Sequence, residues 1–159
     1  MPDPVEPAGE PLFARVEALL ERMSQAWREG DFAFLRALWD ETDHPVYLAE
    51  EADGFARGAE ALGAYFAATE AMLPEVRGEY RLEAVTPLGG DLHIASFVNE
   101  WAAREAAGEP MVAGICRGIM VLEARGARLI PRAYIEAPKA PLLYMRDLYR
   151  MAARERGLH

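Results

Sequence analysis

The sequence predicts an α+β fold in which helices come first and a curved sheet then wraps them. Three observations carry this prediction. Apolar residues recur at helical spacing through the first half of the chain and alternate with period two through the second. Gly89-Gly90-Asp91 marks a hairpin turn where one strand runs into the next. Helices segregated ahead of an antiparallel meander give the α+β class, and 159 residues with 52% hydrophobic content suit one domain with a full core.

Residues 1–11 carry four prolines and three acidic residues, too little apolar content to offset chain entropy, and are expected to form a loose tail. From Leu12 to Glu29 the apolar positions Leu12, Val16, Leu19, Leu20, Met23 and Trp27 follow one helical stripe. Gly30 fits the left-handed cap of this helix and Asp31 the N-cap of the next, whose stripe is Phe32, Leu35, Leu38 and Trp39. Asp40 to Pro45 is a turn, Val46 to Ala49 a short strand, and Glu50 to Gly54 an acidic loop expected at the surface. A third helix is expected from about Ala59 to Leu73, with Leu62, Tyr65, Phe66, Thr69, Met72 and Leu73 inward and Pro74 near its end.

From Glu79 the period becomes two, with Tyr80, Leu82 and Ala84 opposite Arg81, Glu83 and Val85. Leu92 to Glu123 reads as a long hairpin with polar residues on both faces. Phe97, Asn99 and Trp101 share one side of its first strand and Ser96, Val98 and Glu100 the other. In its second strand Ile115, Arg117, Ile119 and Val121 face away from Cys116, Gly118, Met120 and Leu122. Neither face is cleanly polar, so both are expected to be covered. Arg125-Gly126 turns into a last strand over Arg128 to Glu136, where Pro131 implies an edge or a bulge. Pro141 then opens a final helix, giving a tail over 1–11, a domain over 12–140 and a terminal helix over 141–159.

A formal net charge of -9 argues against nucleic acid or an anionic membrane surface as partner. The start of the chain shows no basic stretch followed by an apolar one, and no apolar run approaches the ~18 residues of a membrane span, so a cytoplasmic location is expected. Cys116 is alone and sits in an apolar strand, which fits a buried, unreactive thiol. His, Cys and acidic residues show no metal-ligand spacing, and no cofactor motif is present.

The order of elements, together with Ala26-Trp-Arg-Glu-Gly-Asp-Phe-Ala-Phe-Leu35, Gly58-Ala-Glu-Ala-Leu62 with Tyr65-Phe66, and the strand ending Ile135-Glu-Ala-Pro-Lys-Ala-Pro-Leu142, resembles the nuclear transport factor 2-like superfamily. That superfamily includes ketosteroid isomerase and the SnoaL-type cyclases. The resemblance spans roughly residues 12 to 140. It implies a cone-shaped, cystatin-like α+β barrel with three helices in the concave face of a curved, mixed or antiparallel sheet. It also implies a pocket between that face and the helices, and homodimers paired through the outer face. The chain departs from the isomerase pattern, because the buried stripe of its first helix has no Tyr and its central strands carry no Asp beyond Asp91. The pair of pocket histidines used by dehydratases is absent as well, since His44, His93 and His159 are scattered.

Two groups of residues remain as candidates. Asp40, Asp43, His44 and Tyr47 lie between the second helix and the first strand, where an Asp could orient His44 as an acid or base and Tyr47 could offer its hydroxyl. A solvated turn explains the first three as readily, and a core Tyr the last. The second group is Asn99, Glu100, Arg117, Arg132, Tyr134 and Glu136, in which Glu100 is either paired with Arg117 or free to transfer protons. The catalytic expectations are therefore His44, Tyr47 and Glu100. The ligand-binding expectations are Trp27, Trp39, Tyr47, Tyr65, Phe66, Asn99, Trp101, Arg117 and Tyr134, around a small apolar molecule. An acid-base enzyme and a dimerisation module are the alternatives.

Overall fold

The structure is a computed structural model that describes residues 11–139 and 142–157. Apart from Pro11, the expected tail lies outside them, as do Pro141 and His159. Among the described residues, α1 (Leu12–Glu29) and α2 (Phe32–Ala37) are followed by two short strands, β1 (Val46–Leu48) and β2 (Ala56–Arg57), and then by α3 (Gly58–Met72). Four long strands come next, β3 (Glu75–Gly89), β4 (Leu92–Arg104), β5 (Val112–Arg125) and β6 (Arg128–Pro138), before α4 (Leu142–Glu155). The sheet order is β2-β1-β6-β5-β4-β3, mixed because β1 runs parallel to β6 while the other neighbours are antiparallel.

The corner between α1 and α2 forms as its residues dictate. Gly30 takes a left-handed conformation (φ 65°) that ends α1, and the Asp31 carboxylate accepts from the Phe34 N–H at 3.0 Å to start α2. The α2 helix stops at Ala37, short of the predicted stripe, and Leu38 and Trp39 follow it in turns, with Trp39 still buried in the core.

The buried stripe of α1 (Val16, Leu20, Met23 and Trp27) packs with Phe97, Met120, Leu122 and Tyr134 from the sheet in one apolar core. The α1 helix also shields the edge strand β3. The Ser24 hydroxyl donates to Leu20 O at 3.0 Å and accepts from the Tyr80 N–H at 2.9 Å, so a backbone donor that points out of the sheet is satisfied by the helix.

Several details differ from the sequence reading. A bulge between Leu82 and Ala84 shifts β3 by one residue, so beyond it Val85 rather than Ala84 turns toward the core. Met72, expected inward on α3, is exposed, whereas Leu62, Phe66 and Thr69 are buried. Pro131 sits at a second irregularity, where Val121 pairs with Ala133 and Leu122 with Pro131, and it lies beyond the stretch of β6 that pairs with β1. Large rings lie across small partners in the middle of the sheet: Phe97 pairs with Gly118 and Trp101 with Gly114. No described helix is long and apolar enough to cross a membrane.

Candidate functional site

Register decides which residues meet. In β4, Ala95, Phe97, Asn99, Trp101 and Ala103 share a face, and the pairs Tyr80–Asn99, Asn99–Cys116 and Met120–Tyr134 carry that face across β3, β5 and β6. Tyr47 of β1 joins it opposite Tyr134. This inner face and the helices enclose a half-open cavity of about 220 Å³. Its aromatic lining is Trp27, Tyr47, Tyr65, Tyr80 and Trp101, with Thr69, Leu73, Val76, Gly78, Ala103 and Val112 filling between; its polar groups are Glu50, Glu51, Arg77, Asn99, Glu105 and Glu136.

Glu136 is the centre of the polar network. It is 9% exposed, and its Oε1 accepts from Asn99 Nδ2 at 2.9 Å and from the Tyr134 hydroxyl. The Tyr134 hydroxyl in turn lies 3.1 Å from that of Tyr80, which accepts from Trp27 Nε1 at 3.1 Å. The Glu136 carboxylate can only accept, which sets the sense of the chain: Tyr134 gives its one proton to Glu136 and so accepts from Tyr80, which accepts from Trp27. Every dipole therefore points at one carboxylate oxygen, and among the described residues the other, Oε2, has no hydrogen-bond partner.

Burial pushes the Glu136 carboxyl above the ordinary carboxylate range. Hydrogen bonds from Tyr134 and Asn99 oppose that shift, and the nearby Glu51 and Glu50 charges add to it. Burial likewise raises the Tyr47, Tyr80 and Tyr134 hydroxyls, so they stay protonated and act as donors. The rings are held in place by stacking. Tyr47 lies parallel to Tyr134 at 4.6 Å and against Tyr65 at 5.0 Å.

At the cavity two further polar atoms, Asn99 Oδ1 and Trp101 Nε1, are buried without an oxygen or nitrogen partner among the described residues. Gly78 keeps the space beside the first open, since a Cβ there would come within 3.2 Å of Asn99 Oδ1. At the mouth, the Tyr65 hydroxyl donates to Glu51 at 2.8 Å and the Cys116 thiol to Glu50 at 2.6 Å. Burial raises the Cys116 thiol, which leaves it a poor nucleophile.

The predicted site residues separate along these lines. Trp27, Tyr47, Tyr65, Asn99 and Trp101 line the cavity, and Tyr134 underlies it through Glu136. Phe66 and Trp39 are core residues packed on Tyr47, at 5.5 and 5.8 Å between ring centroids. Glu100 and Arg117 are both exposed on the outer face of the sheet, away from the cavity, because each falls on the opposite parity from Asn99 and Cys116. They form no ion pair among the described residues. His44 is exposed in the turn before β1, and no hydrogen bond is found between it and Asp40 or Asp43.

Tyr80, Glu50 and Glu51 were not anticipated at the site, and Glu136 was grouped with its neighbours without a role. The signal for Glu136 is the Tyr-x-Glu spacing of Tyr134 and Glu136, which places both on one strand face. The acidic loop lies largely at the surface, as expected, and its first two residues also line the cavity.

Comparison with solved structures identifies the architecture. A candidate dehydratase from Streptomyces avermitilis described as of this same fold family superposes with a TM-score of 0.65 at 14% identity, covering 80% of this chain and 99% of its own. The chain has the nuclear transport factor 2-like fold. A ketosteroid isomerase-like protein from Erwinia carotovora atroseptica matches at TM-score 0.66 and 16% identity over 81% of this chain and 97% of its own. A candidate scytalone dehydratase from Novosphingobium aromaticivorans matches at 0.67 and 10% identity over 80% and 83%. No family model matches the sequence, and neither does any curated protein at comparable stringency. Within the nuclear transport factor 2-like fold the cavity lies between the concave face and the helices, where Glu136 and Asn99 project.

Proposed function

We propose that the chain binds a small, largely apolar molecule in this cavity and exchanges a proton with it at Glu136. The observation that carries the reading is the Glu136 carboxyl itself. It is buried at an aromatic cavity, raised above its ordinary range, and held by two donors on Oε1 while Oε2 has no partner among the described residues. The Tyr47 hydroxyl, which lines the cavity and has no hydrogen-bond partner among the described residues, is the donor available to a carbonyl oxygen of the bound molecule as charge develops there. Similarity to structures described as a dehydratase and as isomerase-like is consistent with acid-base work. His44 and Glu100 have no part in this reading.

The test is exchange of a carbon-bound proton. In deuterated buffer, with 2-tetralone as a probe carbon acid, the protein is expected to accelerate loss of the α-proton signal in the NMR spectrum, and Glu136→Gln to reduce that acceleration by about a hundredfold. Equal exchange by the two proteins would remove Glu136 from the role.

The outer sheet face favours a second reading, assembly. Ile115 is 41% exposed there, with half-buried Ile119, Val121 and Ile135 on the same face. We propose a homodimer through that face, for which light scattering should give twice the chain mass and Ile115→Glu the single mass.

A further inference from the structure

We infer that the molecule taken by this cavity carries a protonated amine, seated at the mouth between the carboxylates of Glu50 and Glu51 and the aromatic rings of Tyr65 and Trp101. This deepens the proposal above and rests on its reading of the cavity as a ligand site. The polar groups of the lining are unequal in sign. Glu50, Glu51, Glu105 and Glu136 are acidic, and Arg77, the single basic side chain of the lining, is engaged by Glu75 of its own strand.

What distinguishes the two mouth carboxylates is their partners. Glu51 accepts from the Tyr65 hydroxyl and Glu50 from the Cys116 thiol, both neutral donors, and neither carboxylate belongs to an ion pair among the described residues. Two adjacent negative charges thus hold a concave, aromatic surface at negative potential with no protein cation to meet them. Aromatic faces attract a cation through the ring quadrupole, and they reject an anion for the same reason. Deeper in, Asn99 lines the cavity at 6% exposed, and its Oδ1 beside Gly78 is an acceptor without a partner among the described residues. No three His, Cys, Asp or Glu side chains among the described residues converge at metal-ligand spacing, so the cation that fits is organic.

Calorimetry with three probes of similar shape tests this: 2-phenylethylammonium, 2-phenylethanol and phenylacetate. At low ionic strength the ammonium is expected to bind about tenfold tighter than the alcohol and the carboxylate weakest, with added salt narrowing the gap. The double variant Glu50→Gln, Glu51→Gln should abolish the preference for the ammonium, bringing its affinity to that of the alcohol measured on the same variant. A control losing the same charge at exposed sites, Glu17→Gln with Glu60→Gln, should keep the preference. Should the double variant fail to fold by circular dichroism, the single variant Glu51→Gln and the salt dependence of the native protein carry the same comparison. Alcohol or phenylacetate binding as tightly as the ammonium, or a preference untouched by the mouth substitutions, overturns the inference while leaving the cavity as a ligand site. Failure of all three probes to bind overturns both.

Discussion

Replacing Tyr134 by Phe removes one oxygen from a ring that is 1% exposed, and its consequences can be worked through from the hydrogen bonds. Glu136 Oε1 keeps only Asn99 as a donor, and Tyr80, still accepting from Trp27, is left with a buried proton and nothing to receive it. A hydrogen bond to a charged acceptor contributes about 1.5–3 kcal/mol and an orphaned buried hydroxyl costs about 1–3, which together put the loss at about 2.5–6 kcal/mol when Glu136 is ionised.

The loss depends on pH in a definite sense. Glu136 already has a folded pKa above its unfolded one, so its protonated form is the one the fold favours; stability falls as pH rises from the unfolded value through the folded value. Tyr134 opposes that shift, so its removal raises the folded pKa further and moves the onset of the full penalty to higher pH. Urea unfolding of Tyr134→Phe against the native protein should therefore show a deficit that is smallest near pH 4 and grows toward alkaline pH. A deficit independent of pH, or one that shrinks as pH rises, would refute the picture of Tyr134 as a donor to an ionisable Glu136.

Two other substitutions test the frame that holds this network. Ser24→Ala strands the Tyr80 N–H that the serine now caps at 2.9 Å, and should cost about 1–3 kcal/mol in urea unfolding; a neutral result would mean that water satisfies the strand edge instead. In Gly114→Ala the new methyl would lie 2.7 Å from the Trp101 ring, so the indole must move, at a cost of about 1–3 kcal/mol, with a shifted Trp101 N–H resonance; an unchanged spectrum would contradict the packing.

The helices and the long strands could be read from the sequence because their apolar spacing is strong and local. The bounds of α1, its buried Val16, Leu20, Met23 and Trp27, and its Gly30-Asp31 corner were read correctly, whereas the burial of Ser24 and Ala26 was not. Parity within the hairpin was readable too, since Phe97, Asn99 and Trp101 do share a face, as do Cys116, Gly118 and Met120. What local pattern cannot supply is which parity faces the helices, and on that choice Glu100 and Arg117 went outward while Asn99 went in.

Two irregularities had no local signature strong enough to place them. The bulge after Leu82 reversed the parity of Val85, and the turn before β1 left His44 exposed rather than turned inward. Glu136 is the most instructive residue of the candidate site. A glutamate near the end of a strand reads as a surface residue or an ion-pair partner, and its character here comes from Asn99 and Tyr134, the first 37 positions away, brought beside it only by the order of β4, β5 and β6. Likewise, Glu50 and Glu51 read as loop because nothing adjacent to them says that the chain folds back over an aromatic cavity.

The central claim is that Glu136 is an ionisable group set apart from the other carboxylates by its burial at the cavity. Its own titration tests this most directly, followed through the side-chain carboxyl carbon by NMR and assigned by the signal missing in Glu136→Gln. The account predicts a midpoint above the ordinary carboxylate range in the native protein and a higher one still in Tyr134→Phe. A midpoint within the ordinary range, unmoved by loss of the Tyr134 hydroxyl, would contradict it.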